Sequence, residues 1–251
     1  MSYHLCCISN LLADDGHKFQ TMTWHRFSQL DRTEAIATVS ARTLNNIRVT
    51  RKTLLHCGTH GWGYRASSNL FPLLTYDVAQ LKLEDYPDYN DIMATLADCA
   101  SVVNDYDIRV SCHPDQFNVL ASTGQAQVDK TIVELNHHGW LMDRLTDMVG
   151  CHRDYRRPIN IHVNNTKGDP ADIAARFMSN LAKCDDSVQS RLVVENEDKG
   201  IWTPSLLAKH FDLPITYDNL HHKCLPDGLT QEQAYRLCYD TWMRTGYYKP
   251  L

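Results

Sequence analysis

Short apolar runs alternate with longer stretches of helical periodicity along this chain. Residues 3–8 predict a first strand, and 31–56 a helix with Arg and Lys near its end. A second strand is predicted at 62–67, after Gly58 and Gly61. A helix follows over 90–104, where Ile92, Leu96, Val102 and Val103 recur at roughly helical spacing. Residues 108–112 form a third predicted strand. A long helix covers 125–149, with Ile132, Leu135, Leu141, Leu145 and Val149 on one side. The fourth strand is predicted at 159–163. Asp169-Pro170 then opens a helix, Asp suiting the N-cap and Pro the first turn. The fifth strand falls at 192–195, and Thr203-Pro204 opens another helix in the same way. The sixth strand lies at 214–218, and 230–243 is a closing helix.

Repeated βα units imply parallel strands, because a parallel neighbour needs a crossover connection. The expected fold is α/β, a TIM-type (β/α) barrel in one domain over 1–251, with six of the eight units of such a barrel visible. Neither G-x-G-x-x-G nor G-x-x-x-x-G-K-[ST] occurs, which removes support for a dinucleotide fold or a P-loop NTPase. The Tyr- and Asp-rich segment 72–89 is a long loop, and such loops build the functional face of an α/β barrel.

Composition alters this picture only at its edges. A length of 251 residues suits one barrel domain, and 43% hydrophobic with 22% charged residues is ordinary for a globular core. Mean hydropathy is -0.41, and no apolar run approaches the ~18 residues of a membrane helix. The N-terminus shows no signal-peptide pattern, so a cytoplasmic protein away from membranes is expected. Nine cysteines without C-x-x-C spacing read as free thiols in a reducing compartment. A net charge of -5 argues against a nonspecific nucleic-acid coat protein. It leaves room for a DNA enzyme, since bound cations or a local basic stripe supply positive charge.

The thirteen histidines say more than the net charge. The third strand ends in Ser111-Cys112-His113-Pro114, and the fourth contains Asn160-Ile161-His162-Val163-Asn164. The fifth ends in Glu195-Asn196-Glu197-Asp198, and the sixth in Tyr217-Asp218-Asn219-Leu220-His221-His222. The C-terminal ends of barrel strands converge on one face, so these residues are expected to meet. Histidine nitrogen and carboxylate oxygen suit zinc, manganese or iron, and several carboxylates can bridge two ions. Clustered metals are common machinery for phosphodiester hydrolysis. His137, His138 and His152 fall within or just after helical stretches and are read as surface residues, and Arg153 as part of a solvated charge run.

Ser111-Cys112-His113-Pro114-Asp115-Gln116-Phe117 resembles a strand-end motif of the UV damage endonuclease family, H-P-x-Q followed by an aromatic. Residues 161–169 resemble its I-H-x-G-G-x-x-G stretch, Glu195-Asn196 its L-E-N-D, and Asp218-Asn219-Leu220-His221-His222 its D-x-x-H-H. Ser9-Asn10-Leu11 resembles its E-N-L. These motifs keep the family's order over about residues 3–250. The resemblance implies an enzyme holding a cluster of divalent ions, manganese first, with zinc or magnesium as alternatives. It implies cleavage on the 5′ side of UV photoproducts in double-stranded DNA. His113, His162, Glu195, Asp218 and His221 would be the catalytic metal ligands, with Glu195 bridging. Gln116 and Phe117 would wedge into the duplex at the lesion, and Asn10 would probe it. A damaged pair is already poorly stacked, so displacing it costs less than displacing normal bases. Lys167, Lys199 and Arg65 are candidates for phosphate contact.

Several positions depart from the family. Phe117 stands where the family often has Tyr, which keeps stacking and loses a hydroxyl. Cys6 and Cys7 occupy a region where it tends to have Tyr. The K-x-H motif and glutamate of the family's last two strands are not found before Leu251. Three expectations follow: one piece of a split enzyme that a second chain completes, a truncated gene product, or a shortened relative whose sheet a second copy closes. Two other readings stay open: a sugar isomerase or apurinic endonuclease of the xylose-isomerase-like barrels, and an inactive fragment that binds damaged DNA.

Overall fold

Capping chemistry sets most element boundaries here. The structure, a computed structural model, describes residues 3–14, 16, 18–146, 155–247 and 250–251. The chain divides into two units, one of residues 1–112 with 141–151, the other of 113–140 with 152–251.

The first unit contains β1 (His4–Cys6), α1 (Asn10–Asp14), α2 (Trp24–Phe27), α3 (Arg32–His60), β2 (Gly63–Ala66), α4 (Tyr89–Asp105) and β3 (Val110–Cys112). β2 pairs in parallel with both β1 and β3, in the registers His4↔Gly63 and Tyr64↔Val110. Asp31 caps α3, its Oδ1 accepting from Thr33 N at 3.0 Å and Glu34 N at 3.1 Å. The helix runs past its predicted end at residue 56, through Gly58. A Cβ at Gly58 would lie 2.5 Å from the Tyr106 ring, so this glycine admits a close neighbour and does not end the helix. Gly61 ends it, in the left-handed region at φ 65. The long loop at 72–89 contains two 3₁₀ turns, Asp77–Ala79 and Leu83–Asp85. Arg32 anchors it by donating to Ala79 O and Gln80 O, both at 2.7 Å.

Next in the chain is α5 (Gln125–Leu145), whose predicted continuation to Val149 lies outside the described residues, as do His152 and Arg153. The second unit then carries β4 (Ile159–Ile161), α6 (Pro170–Leu181), α7 (Asp186–Gln189), β5 (Leu192–Glu195), α8 (Pro204–His210), β6 (Ile215–Thr216), α9 (Asn219–Cys224) and α10 (Gln231–Met243). β5 pairs in parallel with β4 and β6, in the registers Ile161↔Val194 and Glu195↔Thr216. Leu192, Val193 and Val194 are wholly buried, as expected for a parallel strand covered on both faces. Each such side chain contributes roughly 1.5–3 kcal/mol. Asp169, Thr203 and Thr230 cap the helices that follow them, Thr230 in a reciprocal capping box with Gln233. Trp242 donates to Ile215 O at 2.9 Å and seats α10 against β6.

Two expectations are corrected. The sixth strand is only Ile215–Thr216, because Asp218 leaves it to cap α9. His138 is buried, not a surface residue: it shares a helix face with buried Thr131 and Leu135, and its Nδ1 lies 2.9 Å from Glu134 O. Beside it, burial holds the half-buried His137 imidazole down to about 3. Among the described residues no helix is long and apolar enough to cross a membrane.

Candidate metal centre

Parallel register explains why the second unit gathers polar side chains at its strand ends. His162 follows β4 directly, Glu195 closes β5, and Asp218 lies just beyond β6. Because Ile161 pairs with Val194, His162 arrives beside Glu195. His113 comes from the start of the same unit. Its Nε2 lies 3.2 Å from Glu195 Oε2, while His221 Nδ1 lies 3.5 Å from Glu195 Oε1. The ring of His162 stands between the other two imidazoles, at centroid distances of 5.1 Å to His113 and 5.5 Å to His221. His221 Nε2 is 4.0 Å from Asp218 Oδ2.

Two groups result, His113–His162–Glu195 and Glu195–Asp218–His221, each with donor atoms within 4.8 Å of one another. Glu195 belongs to both and offers a different oxygen to each side. All five predicted ligands are thus brought together. The nitrogen and carboxylate donors suit a borderline divalent cation. The buried Nδ1 of His162 has no hydrogen-bond partner among the described residues, although buried polar atoms are almost always paired. A coordinated cation would complete it.

The electrostatics favour ligand-competent forms. Burial tends to raise the Glu195 carboxyl. His113 and Asn160, by hydrogen bonding, and the charges of His113 and His162 outweigh burial and hold it below the ordinary carboxylate value. Burial, helped by His113 and His221, lowers the His162 imidazole against the pull of Glu195 and Asp198, keeping the neutral form that binds metals. Glu197 differs: burial pushes its carboxyl up to about 7 despite hydrogen bonds from the Asn164 and Val163 backbone.

Sequence reasoning passed over the residues that orient the ligands. Asn160 donates a short hydrogen bond to Glu195 Oε2. Its position two residues before His162 along an extended segment, hence on the same face, was a readable signal. Asn196 is fully buried: its Nδ2 donates to Asp218 O at 3.0 Å, and its Oδ1 accepts from Asp218 N at 2.8 Å. The Asn196 carbonyl also lies 2.8 Å from His221 Nδ1. Asp218 Oδ1 accepts from Leu220 N and His221 N, so the carboxylate that caps α9 keeps Oδ2 toward the cluster. The adjacent His222 is structural, its Nδ1 2.9 Å from Tyr217 OH and its Nε2 3.1 Å from Asp227 Oδ1.

Of the predicted DNA-facing residues, Phe117 is 70% exposed. Gln116, Lys167 and Lys199 are exposed in the same unit. Asn10 and Arg65 belong to the first unit. Asn10 is exposed at the start of α1, and Arg65 is half-buried in β2, in register with Cys6.

A family model described as UV-endonuclease UvdE matches residues 2–250. The chain is similar to the UV DNA damage endonuclease of Bacillus velezensis, with 28% identity over 237 residues, 92% of this chain and 70% of that protein. The UV DNA damage endonuclease of Bacillus pumilus is 24% identical over 252 residues, 98% of this chain and 75% of that protein. The UV-damage endonuclease of Schizosaccharomyces pombe is 28% identical over 190 residues, but only 30% of that longer protein is covered. The crystal structure of SacUVDE superposes with a TM-score of 0.78 at 26% identity, over 96% of this chain and 77% of that one. The α/β fold is therefore TIM-like, as expected, and the chain belongs to the UV-endonuclease UvdE family.

Proposed function

We propose that this chain is a repair endonuclease that hydrolyses double-stranded DNA on the 5′ side of UV photoproducts, using divalent cations, manganese first among them. The observation that carries this reading is the pair of ligand groups sharing Glu195, with the orphaned His162 Nδ1 among them. His113, His162, Glu195, Asp218 and His221 would hold the cations, Glu195 serving both groups. Bound there, divalent cations would activate water and neutralise charge on the phosphate. Asn160 fixes the Glu195 carboxylate, and Asn196 fixes Asp218 and His221, so the ligands are aimed before substrate arrives.

Phe117 supports the lesion-directed part of the reading. A large apolar ring left in solvent, on a loop whose backbone is pinned by hydrogen bonds, is poised for insertion and stacking. Gln116 beside it supplies an amide for unpaired base edges. Lys167 and Lys199, on loops after β4 and β5, are assigned to phosphate contact, Arg65 likewise, and Asn10 to probing the lesion. The eight described cysteines are free thiols, which suits a cytoplasmic place of action.

Supercoiled plasmid, irradiated or intact, tests the reading when incubated with the manganese-loaded protein and with chelator. Nicking confined to irradiated plasmid and abolished by chelator supports it. Equal nicking of both plasmids, or nicking of depurinated plasmid alone, overturns it.

A further inference from the structure

The loop that carries Phe117 is exposed at its tip and tied along its backbone. Phe117 N donates to Asp115 Oδ1 at 2.8 Å, and Gln127 Nε2 donates to Phe117 O at 2.7 Å. Further on, Asn180 Nδ2 donates to Leu120 O at 2.8 Å, and Asn165 Nδ2 to Ala121 O at 2.6 Å. One tie reaches toward the cluster. Asn164 Nδ2 donates to Gln116 O at 3.0 Å, while the Asn164 backbone N donates to Glu197 Oε1 at 2.7 Å. Glu197 is buried just beyond the shared ligand Glu195. A single residue therefore joins the wedge loop to the strand end that bears the shared carboxylate.

Asn164 does this in the left-handed region, at φ 52. A side chain there is disfavoured, and glycine would take the same backbone more easily. What asparagine adds over glycine at this position is its amide, and that amide holds the Gln116 carbonyl.

We propose that Asn164 is a positioning residue that sets the Gln116–Phe117 wedge at a fixed offset from the metal ligands, so that the step being prised open and the phosphate being cut are in register. The role of the wedge rests on the endonuclease reading above; the tie itself does not.

Two variants isolate the tie. Asn164→Gly keeps the left-handed backbone and the N–H to Glu197 and removes only the amide. Asn164→Asp keeps the shape and puts an acceptor where the donor was. Amide hydrogen exchange over residues 115–118, measured on the manganese-loaded protein without DNA, should quicken about tenfold in both variants. Manganese affinity should stay within about twofold, and the melting temperature within about 2 °C. On plasmid, the ratio of irradiated to intact nicking should fall about tenfold, and Asn164→Gly should add little to Phe117→Ala, since the two act through one element. Unchanged exchange at 115–118, or full additivity with Phe117→Ala, overturns the proposal. If the wild-type protein nicks neither plasmid, the endonuclease reading fails, and the exchange measurement still decides the tie.

Discussion

Replacing Asn196 with alanine should damage both the stability of the second unit and its grip on metal. The side chain is fully buried and makes two hydrogen bonds, both to the backbone of Asp218. Asn196→Ala removes both and strands the Asp218 N–H in a half-buried turn, while the Asp218 carbonyl keeps the bond it accepts from His222 N at 3.1 Å. A stranded buried group costs about 1–3 kcal/mol, half-burial places this one toward the lower end, and the lost bond to the carbonyl adds about 0.5–1.5 kcal/mol, so the loss is about 2–3 kcal/mol. At about 2–4 °C per kcal/mol for a chain of this size, the melting temperature should fall by roughly 4–12 °C. Calorimetry in the presence of chelator measures this without a contribution from bound cation. Asp218 also loses the amide that fixes its backbone, while the Asn196 backbone carbonyl still holds His221 Nδ1, so manganese affinity by isothermal titration should drop about tenfold. A melting temperature within about 2 °C of wild type, with unchanged manganese affinity, would refute the assignment of Asn196 as the clasp.

Phe117→Ala should shift stability by no more than about 0.5 kcal/mol, because the ring is already exposed. Its preference for irradiated over intact duplex should fall roughly tenfold in competition binding, in line with stacking worth about 1–3 kcal/mol per base. A preserved preference would remove the wedge role. Glu195→Gln should abolish nicking and weaken manganese binding, since one charge serves both ligand groups; cleavage at the wild-type rate would contradict the shared-ligand assignment. Glu197 gives a pH signature. Its folded value of about 7 lies above the ordinary carboxylate value of 4.5, so the stability of its protonated form is fully present below 4.5 and lost as pH rises through 7. In urea unfolding of the metal-free protein, Glu197→Gln should therefore be more stable than wild type at pH 8 and equal to it at pH 4. Equal stability at both would show that this carboxyl does not titrate as described.

The candidate ligands were legible in the sequence because parallel strands deliver their C-terminal ends to one place, and because His113, His162, Glu195 and Asp218 each sit at such an end. Helix starts at Asp31, Asp169, Thr203 and Thr230 were legible too, since a cap acts on its own next turn. What escaped depends on distant partners. Nothing local to Asn196 indicates that its amide closes on Asp218, and nothing local to Asn164 indicates its tie to Gln116. Gly58 looked like a boundary, yet it stays helical because its missing Cβ makes room for Tyr106. His138 could have been placed inside from its spacing to Thr131 and Leu135. The short helix α9 hangs on one carboxylate, Asp218, whose candidacy as a ligand drew attention away from its role as a cap.

The most direct test is cleavage of an end-labelled duplex carrying one defined UV photoproduct, with the product mapped to the nucleotide. A single manganese-dependent cut on the 5′ side of the lesion is expected, leaving a 3′-hydroxyl and a 5′-phosphate, with the undamaged duplex intact. Cutting of the undamaged duplex at the same rate, or no cut at the lesion by protein shown to hold manganese, would contradict it.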